Sequence, residues 1–477
     1  MKRETLEEKT SEELVELLKE DASLASKFDE YSLWDRFYFD NWRNLLSDQA
    51  QFKKKAKHYA SGWVAILILN PELAQECDKW EKFDAYDWRW LLMGEPQFAN
   101  RCDKWKFFNA WIWNDLLSKQ PQFAGKCDKW EEFDASNWNV LLENQPQFVE
   151  YAKHYTSGWV AILIREPELA EECYMWMWGE FDAEDWHLLL KKQPQFADKC
   201  DEYRGWRNLD AWKWRELLAE QPQFAGKCDK WSKFDAYEWR SLLEKQPHFA
   251  VKCDEYDGWR KFNALNWSSL LEKQPQFADK AKEFASGWAG ILSIKPELAK
   301  ECDKWGEFNG YDWSYLLAEQ PQFEDKCDEY GGWRKFETDH WSLLLNEQPQ
   351  FAGKCDKWED FSNVDWVCLL RRQPQFAVKC DEYDGWSKFD ADDWSGLLKK
   401  QPQFADKARE FAHDWSGILS INPEFADKCD KWGEFDAYEW RSLLEKQPHF
   451  AGKCDKWGEF DADDWLLLLY YQPQFAD

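Results

Sequence analysis

The chain has 477 residues, a net charge of −29, and 91 acidic against 62 basic residues. Phosphate-rich partners and anionic membrane surfaces need clustered Lys and Arg, so this balance argues against nucleic acid as a partner. No signal-like apolar segment opens the chain and no run of about 18 apolar residues occurs in it, which predicts a cytoplasmic protein without membrane insertion.

One segment returns along nearly the whole chain. In "KQPQFAGKCDKW", which begins at Lys119, the position of Cys127 recurs at spacings of 25 or 28 residues, once 27, with four short units of 21. Its eighteen equivalents are Phe28, Ala56, Cys77, Cys102, Cys127, Ala152, Cys173, Cys200, Cys228, Cys253, Ala281, Cys302, Cys327, Cys355, Cys380, Ala408, Cys429 and Cys454. Such a period indicates an array of small structural units.

The first half of each unit predicts an amphipathic helix, as in the unit that begins at Asp84. Asp84 followed by Asp87 resembles a capping box at a helix start. Trp88, Leu91 and Leu92 fall on one apolar stripe at 100° per residue. The stripe needs a neighbouring unit to cover it.

The second half of the same unit predicts another helix of roughly ten residues. Pro96 cannot continue the first helix but suits the first position of a new one. Phe98, Cys102 and Trp105 then follow an i, i+4, i+7 pattern. Each unit is therefore predicted to be a pair of short helices.

The pattern "WxxLLxxQPQFAxKC" resembles the short α-solenoid repeats of the leucine-rich-repeat variant and HEAT-like families. The resemblance implies a superhelical binding scaffold and transfers no site residue. Together with the period, it predicts an all-α fold, an α-solenoid superhelix of about nineteen short two-helix repeats with a Trp-rich core.

The predicted array has distinct ends and unequal units. Residues 1–31 fit the unit with a charged outer surface and are predicted to be an N-terminal capping repeat, while 32–477 form a continuous array whose last repeat is incomplete. The short units follow Ala56, Ala152, Ala281 and Ala408. We expect closer helix approach and a local change of curvature at each short unit, and an extended second helix or loop in each 28-residue unit.

Thirteen of the eighteen equivalent positions hold Cys, but four hold Ala and one holds Phe. Structural zinc needs paired cysteines or nearby His, and the Ala units would interrupt a disulfide ladder. The pattern predicts free thiols packed as small apolar side chains, with no metal and no cofactor. Cys368 is out of register and is the candidate for a reactive thiol.

The 36 Trp residues divide into three groups. Eighteen occupy the first-helix position, from Trp42 to Trp465, and fourteen occupy the segment after the cysteine position, from Trp34 to Trp457. These two groups predict the repeating core. The remaining four are Trp90, Trp111, Trp178 and Trp212, of which Trp178 lies in an irregular insertion.

The units differ from one another on one side of the first helix. The Leu pair is constant, whereas its flanking positions and the residue two before the Trp vary, within an arc of roughly 100° to 240° from the Trp. Exposed Trp and Tyr on a rigid scaffold are typical binding anchors, although free drift of solvent-facing positions remains an alternative. The candidate binding residues in this arc are Trp90, Trp111, Trp212, Tyr86, Tyr237, Tyr311, Tyr315 and Tyr438.

Known catalytic motifs such as H-E-x-x-H, G-x-S-x-G and the P-loop do not occur in the sequence. We therefore expect a non-enzymatic scaffold that binds a protein or an extended peptide through the variable arc. Two other functions remain open. One is a carbohydrate-binding, adhesin-like surface protein whose aromatic rows stack on sugars, and the other is an acidic decoy of nucleic-acid-binding proteins.

Overall fold

The computed structural model describes residues 6, 9–31, 33–472 and 475. The regular elements in these ranges are helices, and none of the described residues lies in a β-strand. The all-α prediction is therefore confirmed. Across the same residues, no helix has the length and apolar character needed to cross a membrane.

Nineteen long helices, one for each predicted unit, run through the described part of the chain. They are α1 (Ser11–Glu20), α2 (Phe39–Asp48), α3 (Ala60–Leu69), α4 (Ala85–Gly94), α5 (Ala110–Lys119), α6 (Ala135–Asn144), α7 (Thr156–Arg165), α8 (Ala183–Lys192), α9 (Ala211–Glu220), α10 (Ala236–Lys245), α11 (Ala264–Lys273), α12 (Ala285–Ile294), α13 (Gly310–Glu319), α14 (Thr338–Glu347), α15 (Asn363–Arg372), α16 (Ala391–Leu398), α17 (Trp415–Ile421), α18 (Ala437–Lys446) and α19 (Ala462–Tyr471).

The chain forms two compact bodies, Met1–Lys230 and Trp231–Asp477. In the first body α1 to α9 pack side by side in chain order, and in the second body α10 to α19 do the same. Each long helix thus covers the apolar stripe of its neighbour, as a stacked repeat requires. The solenoid-like repeat architecture is confirmed within each body.

The two ends of the predicted array are only partly described. The predicted cap, 1–31, includes residues 1–5, 7 and 8, and the predicted incomplete last repeat includes 473, 474, 476 and 477, all of which lie outside the described residues. Within the cap, α1 buries Leu14, Val15 and Leu18 and exposes Glu12 and Glu16.

Most of the long helices begin at side-chain caps, as the sequence predicted, whereas α3, α7 and α12 have none. Asp84 Oδ1 accepts the Asp87 N–H at 2.8 Å, and the Asp84 N–H donates to Asp87 Oδ2 at 3.3 Å. This reciprocal capping box satisfies two of the donors that a helix start leaves unpaired.

The second half of the unit differs from the prediction, because a 3₁₀ helix follows each of the long helices α1 to α18. These segments have three to six residues rather than about ten: Ala22–Leu24, Ala50–Phe52, Pro71–Gln75, Pro96–Arg101, Pro121–Lys126, Pro146–Phe148, Pro167–Glu171, Pro194–Phe196, Pro222–Lys227, Pro247–Phe249, Pro275–Phe277, Pro296–Lys300, Pro321–Phe323, Pro349–Lys354, Pro374–Phe376, Pro402–Phe404, Pro423–Phe425 and Pro448–Lys453.

Further short elements lead into the next long helix. The short α-helices are Ala25–Glu30, Lys53–Ala56, Val149–Ala152, Met175–Glu180, Ala197–Glu202, Ala250–Glu255, Ala278–Ala281, Glu324–Glu329, Ala377–Glu382 and Ala405–Phe411. The other 3₁₀ helices are Leu33–Arg36, Trp80–Lys82, Trp105–Phe107, Trp130–Glu132, Gly205–Asn208, Trp231–Lys233, Gly258–Lys261, Trp305–Glu307, Gly332–Lys335, Trp358–Asp360, Gly385–Lys388, Trp432–Glu434 and Trp457–Glu459.

The backbone before the cysteine differs between the 25-residue units and the 28-residue units. Where the sequence reads "FAGKC", as at Gly125, the backbone stays 3₁₀ and ends in an extended conformation at Cys127. Before Cys200 and Cys253, in 28-residue units, a six-residue α-helix forms instead. The residue before the Lys does not decide the difference alone, because "FADKC" before Cys429, in a 25-residue unit, forms no α-helix. The predicted longer second helix of the 28-residue units is confirmed.

The repeated "QPQ" joins neighbouring units within a body. After α13, Gln320 Nε2 donates to the Ser293 carbonyl of α12 at 2.7 Å. Gln322 Nε2 donates to Gln320 Oε1 at 2.7 Å and so orients the first amide. Because the Ser293 carbonyl lies in the last turn of its helix, the bond satisfies an acceptor that the helix itself leaves free.

The core is a repeated cluster of four aromatic rings. Trp105 stacks on the first-helix Trp113 with centroids 5.5 Å apart, and it also contacts Phe108 and Phe123 at 5.3 and 5.6 Å. Such pairs contribute about 0.5–1.5 kcal/mol each beyond the burial of their surface. The Trp-rich core is therefore present as predicted.

One part of the predicted Trp core is wrong. Trp178, which the sequence register left outside the core, is 2% exposed and stacks on Trp186 at 5.9 Å. Trp176, one of the fourteen predicted core residues, is 62% exposed. The two-residue insertion places Trp178 three residues before Phe181, the spacing that links Trp105 to Phe108.

In the short units after Ala56, Ala152 and Ala281, the long helix lies close to the preceding segment, as predicted. A Cβ atom added at Gly62 would collide with the Ala56 carbonyl, and one at Gly158 would collide with the Ala152 carbonyl. Glycine is thus required where the long helix meets the backbone of the preceding segment. The predicted change of curvature remains a prediction.

Candidate binding surface

Three of the predicted anchors meet around one arginine in the first body. The Arg89 guanidinium carbon lies 4.1 Å from the Trp90 ring centroid and 4.3 Å from that of Trp111. Tyr86 lies one turn before Trp90 on α4, and its ring centroid is 6.1 Å from that of Trp111 on α5. We call Tyr86, Arg89, Trp90, Trp111 and the neighbouring Phe39 the aromatic surface.

Two further contacts hold the aromatic surface in place. Phe39, on α2, stacks on Trp90 with centroids 4.8 Å apart, and Asp115 accepts a hydrogen bond from Arg89 Nη1 at 2.7 Å. Arg89 is only 4% exposed, and burial lowers the pKa of its guanidinium. Asp115 supplies the counter-charge that a buried cation needs.

The outer rings of this surface remain available to a partner. Tyr86 is 53% exposed and Trp111 is 50% exposed, whereas Trp90 is half-buried. Exposed aromatic rings packed against a buried, ion-paired guanidinium offer apolar area in a fixed geometry. The arrangement suits recognition of a surface rather than enclosure of a small molecule.

Trp212 on α9 is also exposed, at 44%, but charged side chains lie around it. Lys213 Nζ lies 5.5 Å from its ring centroid, and the His187 ring lies 6.0 Å away. His187 is 3% exposed, and burial lowers its pKa. Glu184 and Glu216 lie 3.9 and 3.6 Å from the two ring nitrogens.

In the second body, Tyr311 and Tyr315 are half-buried on α13. Their rings are parallel, with centroids 6.4 Å apart, and the Tyr315 hydroxyl lies 2.7 Å from Ser268 Oγ. Burial raises the pKa of the Tyr311 hydroxyl. These two tyrosines thus also contribute to internal packing.

The last two predicted anchors each lie beside an arginine three residues further along the same helix. Tyr237 is 50% exposed with Arg240 at 5.4 Å, and Tyr438 is 65% exposed with Arg441 at 4.8 Å. No ring contact joins Tyr438 to the α13 tyrosine pair among the described residues of that body.

The sequence prediction missed the polar residues directly after the first-helix Trp. They face the variable arc but are buried: Arg89 at 4%, His187 at 3%, Arg215 at 8% and Arg441 at 9%. Variation at this position, together with long charged side chains, was the available signal. The prediction named only aromatic residues of the arc as candidates, and it therefore omitted these polar residues.

The cysteines pack as predicted. No disulfide joins any of the fourteen cysteines, all of which lie in the described ranges, and Cys200, Cys253 and Cys380 are fully buried. Burial raises the pKa of Cys102 to about 11 and that of Cys127 to about 12, which disfavours the reactive thiolate. Cys368 is exposed on α15.

No group of three His, Cys, Asp or Glu side chains in the described ranges is arranged to hold a metal ion. A shallow depression of about 430 Å³ is lined by residues that include Glu81, Asp84, Lys104 and Phe107. It is separate from the aromatic surface.

Comparison of the chain with protein-family models, with curated proteins and with solved structures finds no match. The resemblance to leucine-rich-repeat variant and HEAT-like families therefore remains an expectation. Function has to be argued from the surface itself.

Proposed function

We propose that the protein is a non-enzymatic repeat scaffold that binds an extended segment of a partner protein through the aromatic surface. The observation that carries this proposal is the Arg89 guanidinium held between Trp90 and Trp111. Trp, Tyr and Arg are the residues most enriched at the energetic centres of protein interfaces.

Preorganisation supports the proposal. Phe39 packs against Trp90, and Asp115 fixes Arg89 through a 2.7 Å hydrogen bond. Side chains that are already ordered lose little conformational entropy when a partner binds, whereas each mobile side chain costs about 0.5–1.5 kcal/mol. Binding of a partner to the aromatic surface should therefore cost little side-chain conformational entropy.

A peptide suits this surface better than a sugar. Carbohydrate stacking needs an open aromatic face, and both Phe39 and Arg89 already pack on the Trp90 ring. An extended peptide can instead place apolar side chains against the exposed parts of Tyr86 and Trp111. Arg89, which is 4% exposed and bonded to Asp115, holds the two Trp rings in place beneath that peptide.

Selection from a phage-displayed library of random linear peptides tests the proposal. Peptides are selected on the wild type and counter-selected on Trp111→Ala, with Trp176→Ala as the matched control because it removes an equally exposed ring elsewhere in the first body. Circular dichroism checks the fold of both variants.

We expect enriched peptides to bind the wild type and Trp176→Ala equally and to bind Trp111→Ala about 30-fold more weakly, the loss of about 2 kcal/mol typical of a central interface residue. Peptides that bind Trp111→Ala as well as they bind the wild type would refute the aromatic surface as the site.

A further inference from the structure

A basic cluster lies within the otherwise acidic chain. The ends of α15 and α16 carry Arg371, Arg372, Lys399 and Lys400, and all four are exposed. They stand five and six residues after the first-helix Trp, inside the variable arc. With 91 acidic and 62 basic residues in the chain, four adjacent cations on two neighbouring helices depart from the overall charge.

Two contacts bring the ends of α15 and α16, and so the four cations, close together. Arg371 reaches from α15 onto α16, where a Cβ atom at Gly396 would collide with its guanidinium. Gln401 Nε2 also donates to the Arg371 carbonyl at 2.7 Å and ties the two helix ends together. The absence of a side chain at Gly396 therefore lets Arg371 approach the helix that bears Lys399 and Lys400.

Most of the positive charge in the cluster is not neutralised. Arg372 pairs with Glu347 at 2.6 Å, but within the described ranges no carboxylate lies at ion-pair distance from Arg371, Lys399 or Lys400. At the end of α8, by contrast, Lys191 pairs with Glu220 at 3.0 Å.

The helix dipole alone does not account for the cluster. One cation near a helix C-terminus contributes about 0.3–1 kcal/mol, and α10 and α18 achieve this with the mixed pairs Glu244 and Lys245 and Glu445 and Lys446. Two cations at the end of each of two adjacent helices add mutual repulsion instead. An anionic ligand would relieve that repulsion.

We propose that this basic cluster binds an acidic peptide segment with consecutive Asp or Glu side chains. The inference rests on the proposed function, the binding of an extended segment, and adds the chemistry that the second body recognises. Arg371 can hold a carboxylate through two parallel hydrogen bonds, and the lysines act as adjacent point charges. The negative charge of the remaining surface opposes binding of the same segment elsewhere.

Fluorescein-labelled hexaglutamate, hexaglutamine and a phosphoserine peptide are the probes, with binding followed by fluorescence anisotropy at low and physiological salt. The test variant is Arg371→Gln/Lys399→Gln/Lys400→Gln. The matched control is Lys191→Gln/Lys192→Gln, a cation pair in which Lys191 is already ion-paired.

We expect hexaglutamate to bind the wild type and the control equally, to bind the triple variant at least about tenfold more weakly, and to weaken with added salt. Hexaglutamine should not bind. Tighter binding of the phosphoserine peptide would assign the cluster to a phosphorylated acidic segment.

Cys368 provides a second readout, because it is exposed one turn before Arg371 on α15. Bound hexaglutamate should slow its alkylation by neutral iodoacetamide, measured by mass spectrometry. Equal hexaglutamate affinity for wild type and triple variant, or unchanged alkylation at saturating peptide, would overturn the proposal. Each of these results leaves the test on Trp111 standing, so the two failures are distinguishable.

Discussion

Replacement of Gln320 by Ala tests the role given to the "QPQ" motif. The variant leaves the Ser293 carbonyl of α12 without the donor that now lies 2.7 Å away. A net hydrogen bond is worth about 0.5–1.5 kcal/mol and an unsatisfied buried group costs about 1–3 kcal/mol. Because this site is only partly buried, we expect a loss of about 1–2 kcal/mol. Gln320→Glu should cost at least as much, since it keeps the shape but offers no donor.

The measurement is urea unfolding together with hydrogen exchange of the α12 and α13 amides, because repeat arrays can open locally. Gln322→Ala is the control, since it removes only the bond that orients Gln320 and should cost about 0.5 kcal/mol or less. The reasoning is refuted if Gln320→Ala is as stable as the wild type, or if Gln322→Ala costs as much as Gln320→Ala.

Three further variants test the packing. Burial raises the pKa of Asp312 to about 6, so the folded state binds that proton more tightly than the unfolded state does. The free energy of unfolding should therefore fall by up to about 3 kcal/mol as the pH rises from about 4 to about 6. Asp312→Asn should raise Tm at pH 8 but not at pH 4. Gly290→Ala would place a Cβ 2.8 Å from the α11 backbone and should cost about 1–3 kcal/mol in urea unfolding, while Gly353→Ala, with open space around it, should cost little. Trp178→Ala should cost about 3–5 kcal/mol and Trp176→Ala less than about 0.5 kcal/mol by the same method, a ranking that reverses if Trp176 is the core residue.

The repeated features of the fold were predictable because the units serve as internal comparisons. The capping box of Asp84 and Asp87 and the buried Trp88 recur in related form along the chain and follow from local rules. The choice between 3₁₀ and α in the second half of the unit was missed. It does not follow from one residue, because "FADKC" is α-helical before Cys200 and not before Cys429, and the segment is too short for helical periodicity to decide.

The candidate site was predictable only in part. Exposure of Tyr86 and Trp111 follows from their place in the variable arc. Burial of Arg89 between two Trp rings does not, because it depends on how α4 and α5 pack and on the partner carboxylate of Asp115. The sequence prediction placed Trp176 in the core instead of Trp178, because Trp176 has the usual spacing from Cys173. The spacing to Phe181 favours Trp178.

Hydroxyl-radical footprinting of the first body, with and without a selected peptide, tests the binding claim most directly. Oxidation of each ring is read by mass spectrometry. The account predicts that the peptide protects Trp111 and Tyr86 while Trp176, which is 62% exposed, stays as reactive as in the free protein. Protection of Trp176 with unchanged oxidation of Trp111 would contradict it.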